Sequence, residues 1–248
     1  MFEICGFKTK IGNFILGEIN LRISEGEIFS ICGKSSSGKS VFISSLSGSI
    51  KILGGDFFFK NSCITNELKN HISSNETIPS KDESLTVKEF LYLSRRKIKG
   101  KLTFFNEEDK SLIAELSSNF GLKEYISENI SNIPHSAKSL LFTAAKISQS
   151  KKILLLDAPE AFLDPLSLKI LNRELIKYSK KSNIIIMANN DPNFSICTAD
   201  SIAIMNEGKI IKQGDSSVFS NNSIKDFFDT EGVLGTNIES GKKYIRFF

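Results

Sequence analysis

The chain reads Gly33-Lys34-Ser35-Ser36-Ser37-Gly38-Lys39-Ser40 near its N-terminus, and this octet decides the fold. It fits the phosphate-binding loop pattern, in which a glycine and four free positions precede Gly-Lys and a Ser or Thr. The apolar run 28–32 precedes the octet, and a second apolar stretch that begins at Val41 can continue as a helix. A strand, a glycine loop and a helix start are the context that the motif requires. The sequence therefore predicts that residues 33–41 bind the phosphates of a nucleotide.

The residue types in the octet each have a physical reason. Gly33 and Gly38 let the backbone bend so that successive N–H groups point at phosphate oxygens. The positive end of the following helix dipole lies at the same place. Lys39 can reach the terminal phosphates, and the Ser40 hydroxyl can ligate Mg²⁺. The alternative interpretation is a chance serine-rich turn, which the flanking apolar pattern makes less favourable.

A second candidate site residue, Asp157, ends the apolar run 153–156. In a phosphate-loop fold, an acid at this strand end lies beside the loop and holds Mg²⁺ through water. Taken alone, Asp157 could equally be an ordinary polar residue at the end of a strand. With the phosphate loop upstream the metal role is favoured, so Ser40 and Asp157 are the predicted magnesium residues.

The composition of the 248 residues suits one large domain, or a domain with a lobe, because 40% hydrophobic residues can form a sizeable core. The four cysteines form no C-x-x-C pair, and Cys5, Cys32 and Cys197 lie in apolar company. We therefore expect core thiols in a reducing compartment. Only two histidines are present, which argues against a zinc site. No signal peptide or membrane-spanning stretch is visible, so a soluble or peripheral protein is expected.

The net charge of +4 is mostly dispersed along the chain. The one dense basic run is 95–101, which could contact anionic lipid or nucleic acid. The favoured interpretation is the solvated end of a helix. No nucleic-acid partner is therefore expected.

Apolar periodicity divides the chain into strand-rich and helical parts. Residues 2–23 alternate apolar and polar positions, which predicts antiparallel strands. Over about 85–150 the spacing is helical. Strand signals resume at 153–156 and at 184–188, and the second run is apolar throughout, as a central parallel strand requires. A short tail with one helix is predicted over 220–248.

Local cap and turn signals sharpen these boundaries. Thr86 and Asn106 each precede a helical stripe and are predicted N-caps. Asp164-Pro165 combines a strong cap with a first-turn proline, which predicts another helix start. The segment 206–208 reads Asn-Glu-Gly between two apolar runs and predicts a hairpin.

With these motifs in order, the chain resembles the nucleotide-binding domain of an ATP-binding cassette (ABC) transporter. The resemblance rests on the octet and on three further stretches, SLTVKEFL at 84–91, KILLLDAPEAFLD at 152–164 and NEGKI at 206–210. It implies an α/β fold with a P-loop NTPase core and a mixed sheet, an N-terminal antiparallel β-subdomain and an inserted α-helical subdomain at about 85–150. The cassette would cover 1–219, and 220–248 would be a short C-terminal tail.

Two departures from the family pattern concern hydrolysis. The family's water-polarising Glu corresponds to Ala158, whose methyl group cannot orient water or accept a proton. Glu160 lies two residues on, and its direction would differ. The family's switch His corresponds to Asn190, which can hydrogen-bond a γ-phosphate but carries no charge. The resemblance therefore implies that no catalytic residue is intact.

Other departures concern contacts with partners. The family's coupling Gln aligns near Ser80, and its signature segment falls on 133–137, where Pro134 removes a backbone N–H. The serine and paired glycines that grip a partner's ATP are replaced there. Phe7 or Phe14 could stack on adenine. Asp164, in the loop that crosses the dimer interface, is kept. A small misalignment remains an alternative explanation for the coupling Gln and the signature.

The resemblance implies a head-to-tail dimer with ATP and Mg²⁺ between the subunits. A membrane permease subunit and a second ABC cassette are the implied partners, and a heterodimer is favoured over a homodimer. The protein would lie in the cytoplasm, peripheral on the inner face of the membrane. Loss of the water-polarising acid would lower the rate of hydrolysis by a factor on the order of 10²–10⁴. The alternatives are a regulatory or adaptor module that takes no part in transport and an active phosphate-loop NTPase of another family.

Overall fold

The computed structural model describes residues 1–73, 84–99, 105–238, 241 and 243–248. Within these residues, strands form three sheets, and α-helices connect or cover them. The strands are β1 (Phe2–Ile11), β2 (Phe14–Ile23), β3 (Ile28–Cys32), β4 (Ile52–Phe59), β5 (Ser62–Cys63), β6 (Ile72–Ser73), β7 (Ile153–Asp157), β8 (Ile184–Ala188), β9 (Ser201–Asn206), β10 (Lys209–Gly214), β11 (Gly232–Thr236) and β12 (Lys243–Phe247). The helices are α1 (Lys39–Leu46), α2 (Leu68–His71), α3 (Val87–Lys99), α4 (Glu107–Asn119), α5 (His135–Ser148), α6 (Pro165–Ser179), α7 (Pro192–Thr198) and α8 (Asn221–Phe228).

The N-terminal sheet is antiparallel and has the strand order β2-β1-β4-β5. Strands β1 and β2 form a hairpin in which Ile11 pairs with Phe14. One face of this sheet is apolar, and Phe2, Ile4 and Phe7 on it are buried. The antiparallel strands predicted from the alternating pattern are therefore confirmed.

The central sheet is mixed and has the strand order β10-β9-β3-β8-β7-β6. Strands β3, β7 and β8 run parallel, and β3 and β8 are buried throughout. Their apolar runs follow from burial on both faces, which parallel strands between helices experience. Since the carboxyl ends of parallel strands meet at one edge, the phosphate loop, Asp157 and the residues after Ala188 lie together.

Helices α3, α4 and α5 lie between β6 and β7 in the chain and pack on one another. The predicted caps are present, because the N–H of Glu89 donates to Thr86 Oγ1 at 3.2 Å and the N–H of Asp109 donates to Asn106 Oδ1 at 3.0 Å. Arg95 and the buried Asp109 form an ion pair at 2.9 Å between α3 and α4. The predicted α/β fold class, with its N-terminal antiparallel sheet and inserted helices, is confirmed.

The C-terminal segment contains more structure than the sequence predicts. The predicted helix is α8, but β11 and β12 add an antiparallel hairpin. This hairpin is tied to α7, because Asn193 accepts from the Ile245 N–H at 2.6 Å and donates to the Ile245 carbonyl at 2.9 Å. Ile245 itself is buried in a small core together with Phe219 and Ile224.

The cysteine prediction is correct only for Cys32, which is buried at the end of β3. Cys5 is half-buried and Cys197 is exposed. Cys197 lies on the short helix α7, whose buried positions are occupied by Phe194, Ser195 and Thr198 among others, so its side chain falls on the outward face. Apolar sequence neighbours did not indicate burial here because a helix turns successive residues to different sides.

Candidate nucleotide site

The loop 33–38 joins the buried strand β3 to helix α1, as the motif predicts. Gly33 has a φ of 151°, and a Cβ atom built there would lie 2.1 Å from the Met205 carbonyl oxygen. Gly38 has a φ of 108°, and its Cβ would lie 2.8 Å from Leu16. A side chain at Gly33 is therefore excluded by contact with backbone, and one at Gly38 would be strained by the positive φ. No side-chain hydrogen bond caps α1 within the described structure, which leaves its first N–H groups available to an anion.

The Lys39 side chain is only 6% exposed and lies against the loop. Its Nζ donates to the carbonyl oxygens of Gly33 and Lys34, both at 2.8 Å, and lies 3.4 Å from Ser37 Oγ. Burial lowers the pKa of the Lys39 ammonium, and the charge of Asp157 opposes this shift. The lysine thus stabilises the conformation of the loop through these bonds and places a positive charge at the centre of the loop.

Ser40 and Asp157 are brought together across the edge of the central sheet. The Ser40 hydroxyl donates to Asp157 Oδ1 at 3.0 Å. A hydroxyl and a carboxylate oxygen side by side suit Mg²⁺, which prefers oxygen ligands and keeps several waters or phosphate oxygens. Over the described residues there is no cluster of three or more His, Cys, Asp or Glu that could hold a metal by protein ligands alone. The donor set therefore fits a magnesium ion held jointly with a nucleotide.

A cavity of about 510 Å³ lies over the phosphate loop. It is lined by Ile11, Phe14, Ser35, Ser36, Gly38, Lys39, Ser40, Val41 and Asn190. Of the two aromatic candidates for adenine stacking, Phe14 lines this cavity. Phe7 is fully buried, with its ring edge-on to Phe42 at 5.1 Å. The structure therefore brings Phe14, and not Phe7, to the candidate site.

Ala158, the predicted counterpart of the family's water-polarising acid, carries only a methyl group. Ala158 has a φ of 44°, and its N–H donates to the Ala188 carbonyl oxygen at 2.8 Å. The neighbouring Glu160 points to the loop after β8, where it accepts from the N–H of Asn190 at 2.9 Å and of Asp191 at 3.4 Å. Burial raises the pKa of the Glu160 carboxyl, and these two N–H groups oppose the shift.

Residues 133–137, the predicted counterpart of the family signature, lead into α5, which begins at His135. Pro134 is the N-cap of this helix and makes no side-chain cap hydrogen bond. His135 in the first turn lies 6.3 Å from the ring of Phe162, measured between ring centroids, and Phe162 is 85% exposed. Ser80, which is predicted to lie near the position of the family's coupling Gln, lies outside the described residues.

A buried lysine below the site was missed by sequence reasoning. Lys146 on α5 is 8% exposed, and its Nζ donates to the Leu155 carbonyl oxygen in β7 at 2.9 Å. Burial lowers the pKa of Lys146 to about 8, while the charge of Asp157 opposes this shift. The signal was available, because Lys146 falls on the buried side of α5 between Ala145 and Ile147. A lone lysine in an apolar helix is usually assumed to reach solvent.

The thiol of Cys32, immediately before the phosphate loop, is part of a buried polar cluster. Its Sγ lies 2.9 Å from Ser195 Oγ, which is 2.7 Å from Ser30 Oγ. Burial raises the pKa of Cys32 to about 11. The thiol is therefore protonated at neutral pH and serves packing.

Comparison with known proteins agrees with this geometry. The ABC transporter family model matches residues 16–161, which is more than half of the chain. The chain therefore belongs to the ABC transporter family, and it is an ATP-binding cassette of that family. Over the described residues, none of the helices combines the length and apolar character that a bilayer span needs.

Individual relatives are distant. The petrobactin import ATP-binding protein FpuD of Bacillus anthracis is 25% identical over 229 residues, which are 90% of this chain and 84% of the relative. The ADP conformation of MJ1267, an ATP-binding cassette of an ABC transporter, has a TM-score of 0.74 at 19% identity, over 87% of this chain and 91% of that one. The dimeric post-hydrolysis structure of the cassette MJ0796 with ADP and Pi has a TM-score of 0.69 at 19% identity, over 87% and 99%. At such identities the structural likeness concerns the fold.

Proposed function

We propose that this cassette binds ATP with Mg²⁺ and hydrolyses it weakly on its own. The observation that carries the proposal is the contrast between two neighbouring positions at the end of β7. Asp157 meets Ser40 at 3.0 Å, while the next residue is Ala158. The charge and oxygen ligands for a magnesium nucleotide are thus side by side, but the adjacent methyl group cannot activate water.

The residues of the loop have distinct roles in this proposal. The N–H groups of residues 33–41 surround the phosphates, and Lys39 supplies positive charge to them. Ser40 and Asp157 hold Mg²⁺, which neutralises phosphate charge when bound. Phe14 lies against the base, and Asn190 donates its side-chain amide to the terminal phosphate.

We further propose that the cassette works together with partner chains. A relative of this fold has been solved as a dimer with ADP and Pi, which supports a head-to-tail pair of cassettes. The exposed ring of Phe162, beside His135, suits such a contact surface. Since two copies of this chain would give two sites with Ala158, a heterodimer with a cassette that supplies its own water-polarising acid is favoured. The permease subunit would anchor this pair at the inner face of the membrane.

Nucleotide binding and hydrolysis are tested separately. Calorimetry with ATP, with and without Mg²⁺, measures binding, and phosphate release measures turnover of this chain, of a candidate partner cassette and of the mixture. We expect binding that depends on Mg²⁺, slow turnover alone and faster turnover in the mixture. Vigorous turnover by the purified chain alone would reject the proposal.

Co-purification separates transport from the adaptor alternative. A tagged chain expressed in its native host is solubilised from membranes with a mild detergent, and its companions are identified. A membrane permease among them supports the transport role. Companions that are all water-soluble proteins support an adaptor that uses nucleotide binding for regulation.

A further inference from the structure

One carboxylate contacts three consecutive residues of the loop after β8. Glu160 Oε1 accepts from the N–H of Asn190 at 2.9 Å and of Asp191 at 3.4 Å. Its other oxygen, Oε2, lies 3.0 Å from the side-chain amide of Asn189. The loop that carries Asn190 is therefore joined to the loop after β7 by a single side chain.

The orientation of the Asn189 amide follows from its neighbours. With the amide nitrogen toward Glu160, it donates to Oε2 at 3.0 Å and to the Ala188 carbonyl oxygen at 3.1 Å. Its oxygen then accepts from the hydroxyls of Ser195 at 2.9 Å and of Ser30 at 3.1 Å. The opposite orientation would set the amide oxygen against two acceptors, so the first is correct.

These bonds fix the loop from more than one side. Asn189 is fully buried and bonds to β3 through Ser30 and to α7 through Ser195. The Ala158 N–H joins β7 to β8 through the Ala188 carbonyl oxygen. The Asn190 side chain is exposed and lines the cavity with Lys39 and Ser40, while its backbone N–H stays bonded to Glu160. A residue held at its backbone and free at its side chain is set to contact a ligand.

We propose that Glu160 is a positioning residue that sets the place of Asn190 over the phosphate loop and thereby the preference for a nucleoside triphosphate over a diphosphate. The proposal rests on the proposed function, because it requires that the cavity binds nucleotide. Glu160 acts here through backbone N–H groups and not as a base for water. Both of its oxygens already face donors on residues 189–191.

The preference for a triphosphate would follow from the position of the Asn190 side chain in the cavity. Its amide would donate to the terminal phosphate that only the triphosphate has, while the backbone N–H groups of residues 33–38 would contact phosphates that both nucleotides share. Displacement of the loop would therefore weaken the triphosphate complex and leave the diphosphate complex nearly unchanged. A loss of general stability would weaken both complexes alike.

The test measures affinities for a non-hydrolysable ATP analogue and for ADP, both with Mg²⁺, by calorimetry. We expect Glu160→Ala and Asn190→Ala each to lower the affinity for the ATP analogue about tenfold and the affinity for ADP less than twofold. The double variant should lose no more than Asn190→Ala alone, because both changes remove one interaction. Glu160→Gln keeps an acceptor oxygen for the two N–H groups and should restore most of the preference.

Two further variants keep the test informative. Glu160→Asp retains the charge but retracts the carboxylate by one methylene, so it should show a smaller, triphosphate-selective loss even if the alanine variant fails to fold. Glu174→Gln is the matched control, since Glu174 on α6 is 6% exposed, pairs with Arg173 at 2.8 Å and does not line the cavity. It should change thermal stability without changing the ratio of the two affinities.

The outcomes separate the inference from the function on which it rests. Equal weakening of both nucleotides by the Glu160 variants, or additive losses in the double variant, overturns the positioning role while binding itself stands. Failure of the unmodified protein to bind either nucleotide overturns the proposed function, and the positioning role with it.

Discussion

The two sides of the candidate site differ in what their side chains can do. On the side of the phosphate loop, Lys39, Ser40 and Asp157 are within hydrogen-bonding distance of one another or of the loop backbone. On the side that would face a partner, Ala158 presents a methyl group and Pro134 replaces a backbone donor at the start of α5. The first side is suited to hold a charged ligand, and the second is poorly suited to cleave it. We therefore expect binding and hydrolysis to be separable in this cassette.

The largest expected effect tests the phosphate-loop side. Lys39→Ala removes the central positive charge and the two bonds to the loop carbonyls, so affinity for magnesium-ATP should fall by about 100-fold or more. Calorimetry measures the change. Lys88→Ala, on the exposed surface of α3, is the control and should bind as the unmodified protein does. An unchanged affinity in Lys39→Ala would show that nucleotide does not bind at this loop.

Substitution of Lys146 tests whether its buried charge on the binding side of the site destabilises the fold. The folded-state pKa of about 8 lies below the ordinary value of 10.5, so the unfolded chain holds the proton more tightly. Stability should therefore rise as the pH increases from about 8 to about 10.5. Lys146→Met keeps the volume and removes the buried charge, which should raise the free energy of unfolding at pH 7 by on the order of 2–3 kcal/mol.

Urea unfolding at pH 7 and pH 10 measures both effects. The Met variant should lose most of the pH dependence, whereas Lys169→Met on the exposed side of α6 should keep it. A Met variant that is less stable at pH 7 would mean that the bond to the Leu155 carbonyl oxygen outweighs the cost of burial.

The partner-facing side is tested by restoring an acid. Ala158→Glu should raise ATP turnover about tenfold or more, measured as phosphate release. Ala158→Gln has nearly the same shape without a base and should give no gain. Because Ala158 has a φ of 44°, both substitutions carry similar backbone strain, on the order of 1 kcal/mol, and the comparison cancels it. Equal turnover in the two variants would show that the missing acid does not limit hydrolysis, and that Asn190 or the signature segment limits it instead.

Substitution of Phe14 is expected to have a smaller effect on nucleotide affinity. Phe14→Ala should weaken ATP and ADP alike by about fivefold, because the base is common to both nucleotides. Phe142→Ala on α5 removes a partly exposed ring away from the cavity and is the matched control. An effect restricted to ATP would contradict the assignment of Phe14 to the base.

The sequence predicted the parts of the site that depend on local chemistry. The glycine pattern at 33–38, the strand that ends at Asp157 and the Asp164-Pro165 helix start are each encoded by adjacent residues, and each is present. The choice between Phe7 and Phe14 could not be made, because it depends on which face of the β1–β2 hairpin packs on α1.

The remaining features arise from contacts between distant parts of the chain. Glu160 meets the residues after Ala188 only because β7 and β8 are neighbours in the sheet. The β11–β12 hairpin is bonded to Asn193, about fifty positions away, and β11 contains two glycines that weaken its strand signal. Neither pairing has a signature within a short window of sequence.

The C-terminal segment makes one contact whose consequence reaches the nucleotide. Asp229, directly after α8, pairs with Lys34 of the phosphate loop at 2.5 Å. Phosphate oxygens at the loop would compete with this carboxylate for the same ammonium. Nucleotide binding should therefore loosen the hairpin β11–β12, and faster amide exchange in these two strands on addition of magnesium-ATP would show it. Amide exchange in the C-terminal hairpin would then report whether nucleotide is bound.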